Sequence, residues 1–282
     1  MKKNTLIILL IFAIIGSILA FKLYFQNNDD IKSVLSTRDY LKLEKCIEKL
    51  FDEDKINGRF KYLREVAPNF NEGVFEYYQY IYKNGKKTGS YEIYLVKFIT
   101  SKNEIIYYEF NEEKNKKVKS SWSDSYAWEP YYVLIEKFKN DKEIENLKTS
   151  FKNNFQAELN EKELFLTNIT FGNGCGAATM YSKERMQLND FVAKKDKDSI
   201  IKWLQSTNSE KQIFAVEGFL KLMKSECKFN KQELALFHNV TNKKGTVKVC
   251  HGCIYSTEEV SEIIKEIKNQ LLSKQENNGM VL

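Results

Sequence analysis

Cysteine and histidine are the residue types here that could do thiol, metal or general-base chemistry, and they are few: five cysteines and two histidines in 282 residues. One stretch concentrates them. "TVKVCHGCIYSTEE", residues 246 to 259, holds the chain's one Cys-x-x-Cys, Cys250 and Cys253, with His251 between them. Cys175 lies in a glycine-rich turn, "FGNGCGAA", and His238 in a segment before the motif. The Cys-x-x-Cys spacing serves redox exchange, half a zinc site or a structural bond, and these make different demands.

Redox exchange needs the first cysteine at a helix N-terminus, where the dipole lowers its pKa. The spacing predicts the helix start further on. Ser256 and Glu259 fit a capping box and Tyr255 can staple onto Val260, which leaves Cys250 in a loop, six residues before the cap. The prolines stand at 68 and 130, so none follows the motif. A zinc site would take Cys250 and Cys253 with Cys175 and His238 from elsewhere. His251 is a poor ligand beside its neighbours, and the usual second pair is absent. A disulfide is the favoured reading. Cys250 and Cys253 can bond each other in a very small loop. If they do not, Cys175 is the expected partner, closing a loop of about 75 residues worth about 4 kcal/mol by chain entropy. The alternative is a thiol-dependent enzyme using Cys175, Cys250 and Cys253; a separate reading makes Cys175 a hydrolase nucleophile with His238 or His251 as base. No catalytic, cofactor or metal-ligating residue is assigned.

Other signatures fail on context. Gly172, Gly174 and Ala177 fit G-x-G-x-x-A, but dinucleotide binding also needs a second parallel strand, and the following sequence reads as helices. The glycines instead fit a tight turn where backbones approach closely. HExxH, GxSxG and GxxxxGK[ST] are absent. The formal charge is +6, yet lysines alternate with acids, as in "KFKNDKEIENLKTSFKNN". Solvated helix faces look like that, and nucleic-acid binding is excluded on this pattern.

The compartment follows from the first residues. Lys2 and Lys3 precede an uncharged run from Thr5 to Phe21, 17 residues long, which at 1.5 Å each just spans a bilayer core. Lys22, Tyr24 and Phe25 suit its outer interface. The charge order predicts a cytoplasmic N-terminus and the bulk of the chain outside the cytoplasm, anchored in the cell membrane. A cleaved signal is the rival, but Ile18 and Ala20 meet the small-residue rule only in part. An oxidising space also suits a disulfide.

The elements that would position these residues change character along the chain. Residues 26–60 are polar, then helical, with a stripe of Leu43, Ile47, Leu50 and Phe51, Cys46 on its flank, and Ser36 or Thr37 as cap. From 73 the segments "GVFEYYQYIY", "SYEIYLVKFIT" and "EIIYYEF" are β-branched and aromatic, and the connections at Asn84-Gly85 and Ser101–Asn103 predict an antiparallel meander. Tyrosines at 77, 78, 80 and 82 put aromatics on both faces of the first strand. Trp122 and Trp128 fall in a loop-like stretch ending at Pro130. Ile144, Leu147, Phe151 and Phe155 mark a helix capped near Asn140 and Asp141, and "ELFLTNITF", 163 to 171, alternates like a strand. After 178 the sequence reads as helical throughout, with Ile213, Val216, Leu220 and Met223 on one stripe.

The fold expected is therefore α+β: an anchor over 1–25, an antiparallel sheet packed with helices over 26–172, an all-helical region over 173–273 and a tail over 274–282. "IIKWLQSTNSEKQIFAVEGFLKL" resembles a HEAT-type helix pair, a short helix turning into a longer one. The span from "FGNGCGAA" through "CHGCIYSTEE" resembles the C-terminal module of membrane-anchored bacterial proteins of uncharacterised activity, which implies an exported location and no reaction. Together these give a non-catalytic binding or envelope-interaction module, tied by a disulfide, whose partners are the membrane and an envelope component.

Overall fold

The structure is a computed structural model that describes residues 30–119, 125–176 and 180–278, with side chains as far as Leu271. The expected membrane segment, Trp122 and Ala177 lie outside the described residues. Among the described residues no helix is long and apolar enough to cross a membrane. The chain divides into two compact units between Lys55 and Ile56.

The first unit carries helices α1 (Ile31–Ser36) and α2 (Tyr40–Asp52). Leu43, Cys46, Ile47 and Leu50 are buried as the stripe requires, whereas Phe51 is exposed. The cap of α2 is Asp39, whose carboxylate accepts from Lys42 N–H at 3.1 Å. Ser36 and Thr37 cannot cap it because they end α1.

The second unit opens with a five-stranded antiparallel meander in the order β1-β2-β3-β4-β5: β1 (Ile56–Ala67), β2 (Phe70–Lys83), β3 (Lys86–Ser101), β4 (Glu104–Lys119) and β5 (Tyr126–Lys139). The turns explain it. Asn84 and Gly85 both take positive φ, as the tight hairpin turn demands, and Asn69 does so after Pro68. β1 was not expected. Its alternation is broken by irregularities at Phe60/Tyr62 and Glu65/Ala67, which scramble a period-2 pattern. β5 is likewise a strand over the stretch read as a loop, with Pro130 tolerated because β5 is an edge.

Helix α3 (Asp141–Phe155) buries Ile144, Leu147, Phe151 and Phe155 and is capped by Asn140, as the spacing predicts. Residues 163–171 do not form the expected strand. Phe165 takes positive φ and gives its N–H to the Glu72 carboxylate, and pairing is confined to Phe171. Four helices follow: α4 (Lys183–Ala193), α5 (Lys197–Leu204), α6 (Ser209–Lys224) and α7 (Lys231–Thr241). α6 is central to the core. Ile213, Phe214, Ala215, Val216, Phe219 and Leu222 are all buried, so it is apolar nearly all round, and Met223 is exposed rather than part of a stripe. The core joins these helices to Val66, Ala67, Ile99 and Ile106 of the sheet, so the boundary expected at 172 falls inside this unit.

The C-terminal region is not all-helical. Residues 246–259 form a hairpin, β6 (Thr246–His251) with β7 (Ile254–Glu259), closed by the two-residue turn Gly252-Cys253. Helix α8 (Val260–Asn278) begins only after it. The Ser256 capping box therefore does not form: Ser256 pairs with Val249 in the hairpin ladder, and the Val260 N–H is satisfied by the Gly245 carbonyl at 3.0 Å.

Candidate functional site

The hairpin and the glycine turn meet where the sequence concentrated its sulfur. Phe171 pairs in parallel with Val249: its N–H reaches the Lys248 carbonyl at 2.8 Å, and Cys250 N–H returns to the Phe171 carbonyl at 2.8 Å. A second bridge joins Gly176 N–H to the Gly252 carbonyl at 2.9 Å. Residues 171–176 thus lie beside the β6–β7 hairpin, tied to it by two isolated bridges with bends between them. Cys175, itself in the second bridge, and Cys250 face each other at disulfide distance, with Cα atoms 5.7 Å apart, inside the span a disulfide requires.

Gly172 is needed for this approach. A Cβ there would overlap the Cys250 sulfur and stand 2.7 Å from its carbonyl oxygen. The apparent dinucleotide fingerprint is a packing device, as the turn reading implied. From the other side Arg185 of α4, itself buried, gives Nε–H to the Gly172 carbonyl at 2.9 Å and Nη1–H to Glu217 at 2.8 Å. Burial opposes ionisation of Glu217, but Arg185 and Lys221 outweigh it and hold the carboxyl below its ordinary value.

Cys253 takes no part. It sits exposed and free on the hairpin turn, and the geometry says why. In a two-residue hairpin His251 faces Ile254 and Cys250 faces Tyr255, so Cys250 and Cys253 are not cross-strand neighbours. The zinc set Cys250, Cys253, Cys175 and His238 is not assembled, since two of its sulfurs face each other and His238 belongs to α7. Cys250 lies in β6 and is not part of a helix start, although the sequence placed it in a loop.

Beside Cys250 opens a cleft of about 160 Å³, lined by Gly172, Gly174, Glu217, Cys250, His251 and Glu258 among others. On its rim ligand atoms of His251, Glu258 and Glu266 lie within 4.8 Å of one another. Each carboxylate already has a protein donor: Glu258 meets His251 Nε2 at 2.9 Å, and Glu266 accepts from Gln270 at 2.8 Å. This group makes a polar rim. A more apolar cavity of about 310 Å³ lies between the sheet and α3, walled by Ile99, Tyr107, Ile144, Leu147 and Phe165.

Sequence reasoning missed a buried ionic cluster. Arg64 of β1 gives Nε–H to Glu72 at 2.7 Å and Nη1–H to both oxygens of Glu210 at 2.6 Å. All three are fully or almost fully buried. Asn208 and the Lys248 N–H complete the Glu210 shell at 3.0 and 3.1 Å. Lys243, also buried, donates to Gln212 at 2.8 Å and Ser209 at 3.3 Å. Desolvation first, then the Arg64 charge, brings its pKa down to about 7. The signal available was weak: a lone Arg in "YLREVA" looks like any solvated charge until β1 is recognised. Gly245, at φ +94° against Leu63 and Arg64, lets the strand after Lys243 close onto β1.

In a comparison with models of known protein families, with curated proteins and with solved structures, nothing matches this chain.

Proposed function

We propose that the chain is an exported, membrane-anchored binding module without catalysis, in which the meander offers the recognition surface and the helices and hairpin brace it. One observation carries this reading: Cys175 and Cys250, distant in sequence, face each other at disulfide distance with Cys250 buried. Such a bond persists in oxidising compartments and is rare in the cytosol, which agrees with an N-terminal segment composed like a membrane anchor. The competing thiol enzyme needs an activated, accessible thiolate. Here Cys250 is engaged, and Cys253 lies on a strand turn rather than at a helix N-terminus.

Cys253 supplies the test. Being exposed and free, it should react with a membrane-impermeant maleimide added to intact cells, and Cys253→Ser should remove most of the label. Labelling that appears only after lysis would place the domain in the cytoplasm and defeat the proposal.

A further inference from the structure

The last paired position between β3 and β4 is Tyr94 with Glu112, whereas β4 and β5 stay paired out to Lys119 and Tyr126. Residues 113–119 and 126–132 therefore form a two-stranded arm beyond the sheet, and residues 126–132 are exposed throughout. Alternate positions of β5 place Tyr126, Trp128, Pro130, Tyr132 and Leu134 on one face; Tyr132 donates its hydroxyl to Glu76 of β2 at 3.1 Å, so the row that stands clear is Tyr126 to Pro130. Trp128 is 68% exposed and Tyr126 60%. Lys117 stands directly opposite Trp128 and Lys119 opposite Tyr126, while Lys114 and Lys116 occupy the other face beside Tyr131. The arm carries four lysines and two glutamates, Glu113 and Glu129, and one of the lysines, Lys114, is paired with Glu112 at its base. Lys117 Nζ lies 4.7 Å from the Tyr126 ring centre and Lys116 Nζ 5.8 Å from that of Tyr131.

We propose that this arm docks on an anionic bilayer surface, with the aromatic row at headgroup level and the lysines against the lipid charges. Tryptophan and tyrosine combine an apolar ring with a polar tip, and lysine a long apolar stem with a terminal charge, the pairing that suits a membrane interface. The excess of lysine supplies the charge complementarity, each basic residue near an anionic surface adding to the attraction. A partner that added a strand, whether a peptide or a second copy, would need the open edge of β5 or that of β4 beyond Glu112. Pro130, without an N–H, interrupts the middle of β5, and Lys114, Lys116, Lys117 and Lys119 crowd the β4 edge with charge that opposes pairing. The surface that fits is one read by side chains, and a bilayer is such a surface. The proposal deepens the envelope-facing reading by naming the partner, yet its test uses no cell, so either can fail alone.

The full chain, reconstituted in liposomes with brominated acyl chains, gives the readout. The Trp128 signal is the difference between wild type and Trp128→Phe. Quenching should be strong when phosphatidylglycerol is mixed into phosphatidylcholine and weak in phosphatidylcholine alone. Lys117→Gln with Lys119→Gln, the two exposed lysines on the face of Trp128, should lower the docked-to-undocked ratio in anionic bilayers by about thirtyfold at low salt, with an unchanged circular dichroism spectrum. Equal quenching in both lipids, or no response to the double substitution, would overturn the proposal. So would protection of Trp128 by added dextran sulfate in place of lipid, which points to a soluble polyanion, or protection that rises with protein density in either lipid, which points to a second copy.

Discussion

Arg185 holds one buried carboxylate in place and Arg64 two, and removing such a cation deprives a buried charge of a partner. Arg185→Met strips Glu217 of its buried donor at 2.8 Å but leaves Lys221 at 2.5 Å, so a loss of about 3 kcal/mol is expected. Arg185→Met combined with Glu217→Gln should recover part of it in urea unfolding; an additive double variant would contradict the account. Lys243 makes a different prediction. Folding lowers its pKa from 10.5 to about 7, so between those values the unfolded state binds the extra proton. Stability should rise with pH from about 7 to about 10, and below 7 the cost of charging the buried amine is present in full. Wild type should therefore gain on Lys243→Met as pH climbs through that window, whereas parallel unfolding midpoints would show that Lys243 does not titrate there.

Gly172 joins two elements, the turn and β6. Gly172→Ala should cost about 1–3 kcal/mol by overpacking against Cys250. The loss should shrink when Cys175 and Cys250 are both serine, because the turn can then move away; an equal loss in both backgrounds would locate the strain elsewhere. At this scale the sequence was unevenly legible. The β2–β4 meander and α3 announced themselves because local signals agreed with the fold: positive-φ turn residues at Asn84-Gly85, a cap at Asn140 and a clean stripe from Ile144 to Phe155. β1 hid behind its irregularities. The hairpin of β6 and β7 was misread because Ser256, Glu259 and Val260 imitate a capped helix start, although Gly252-Cys253 is a two-residue turn of the sort hairpins use. Of the site, the close approach at Gly172 was legible and the sulfur pairing only in part, since the spacing left Cys250 able to bond either Cys253 or Cys175. The ionic cluster was not, since Arg64, Glu72, Glu210 and Lys243 come together only through tertiary packing.

Across the second unit one core runs from sheet to C-terminal helix, and the Cys175–Cys250 tie closes a loop that contains four of its helices. Chain entropy puts the contribution of that bond at about 4 kcal/mol, so Cys250→Ser should lower the unfolding temperature while leaving the fold detectable by circular dichroism at lower temperature. Whether the bond exists in the cell decides most. Protein recovered from the cells that make it, alkylated before reduction and mapped by mass spectrometry, should show Cys253 carrying the alkyl group and Cys175 joined to Cys250 in one disulfide-linked peptide. Quantitative alkylation of Cys175 and Cys250, or a bond from either of them to Cys253, would contradict the account.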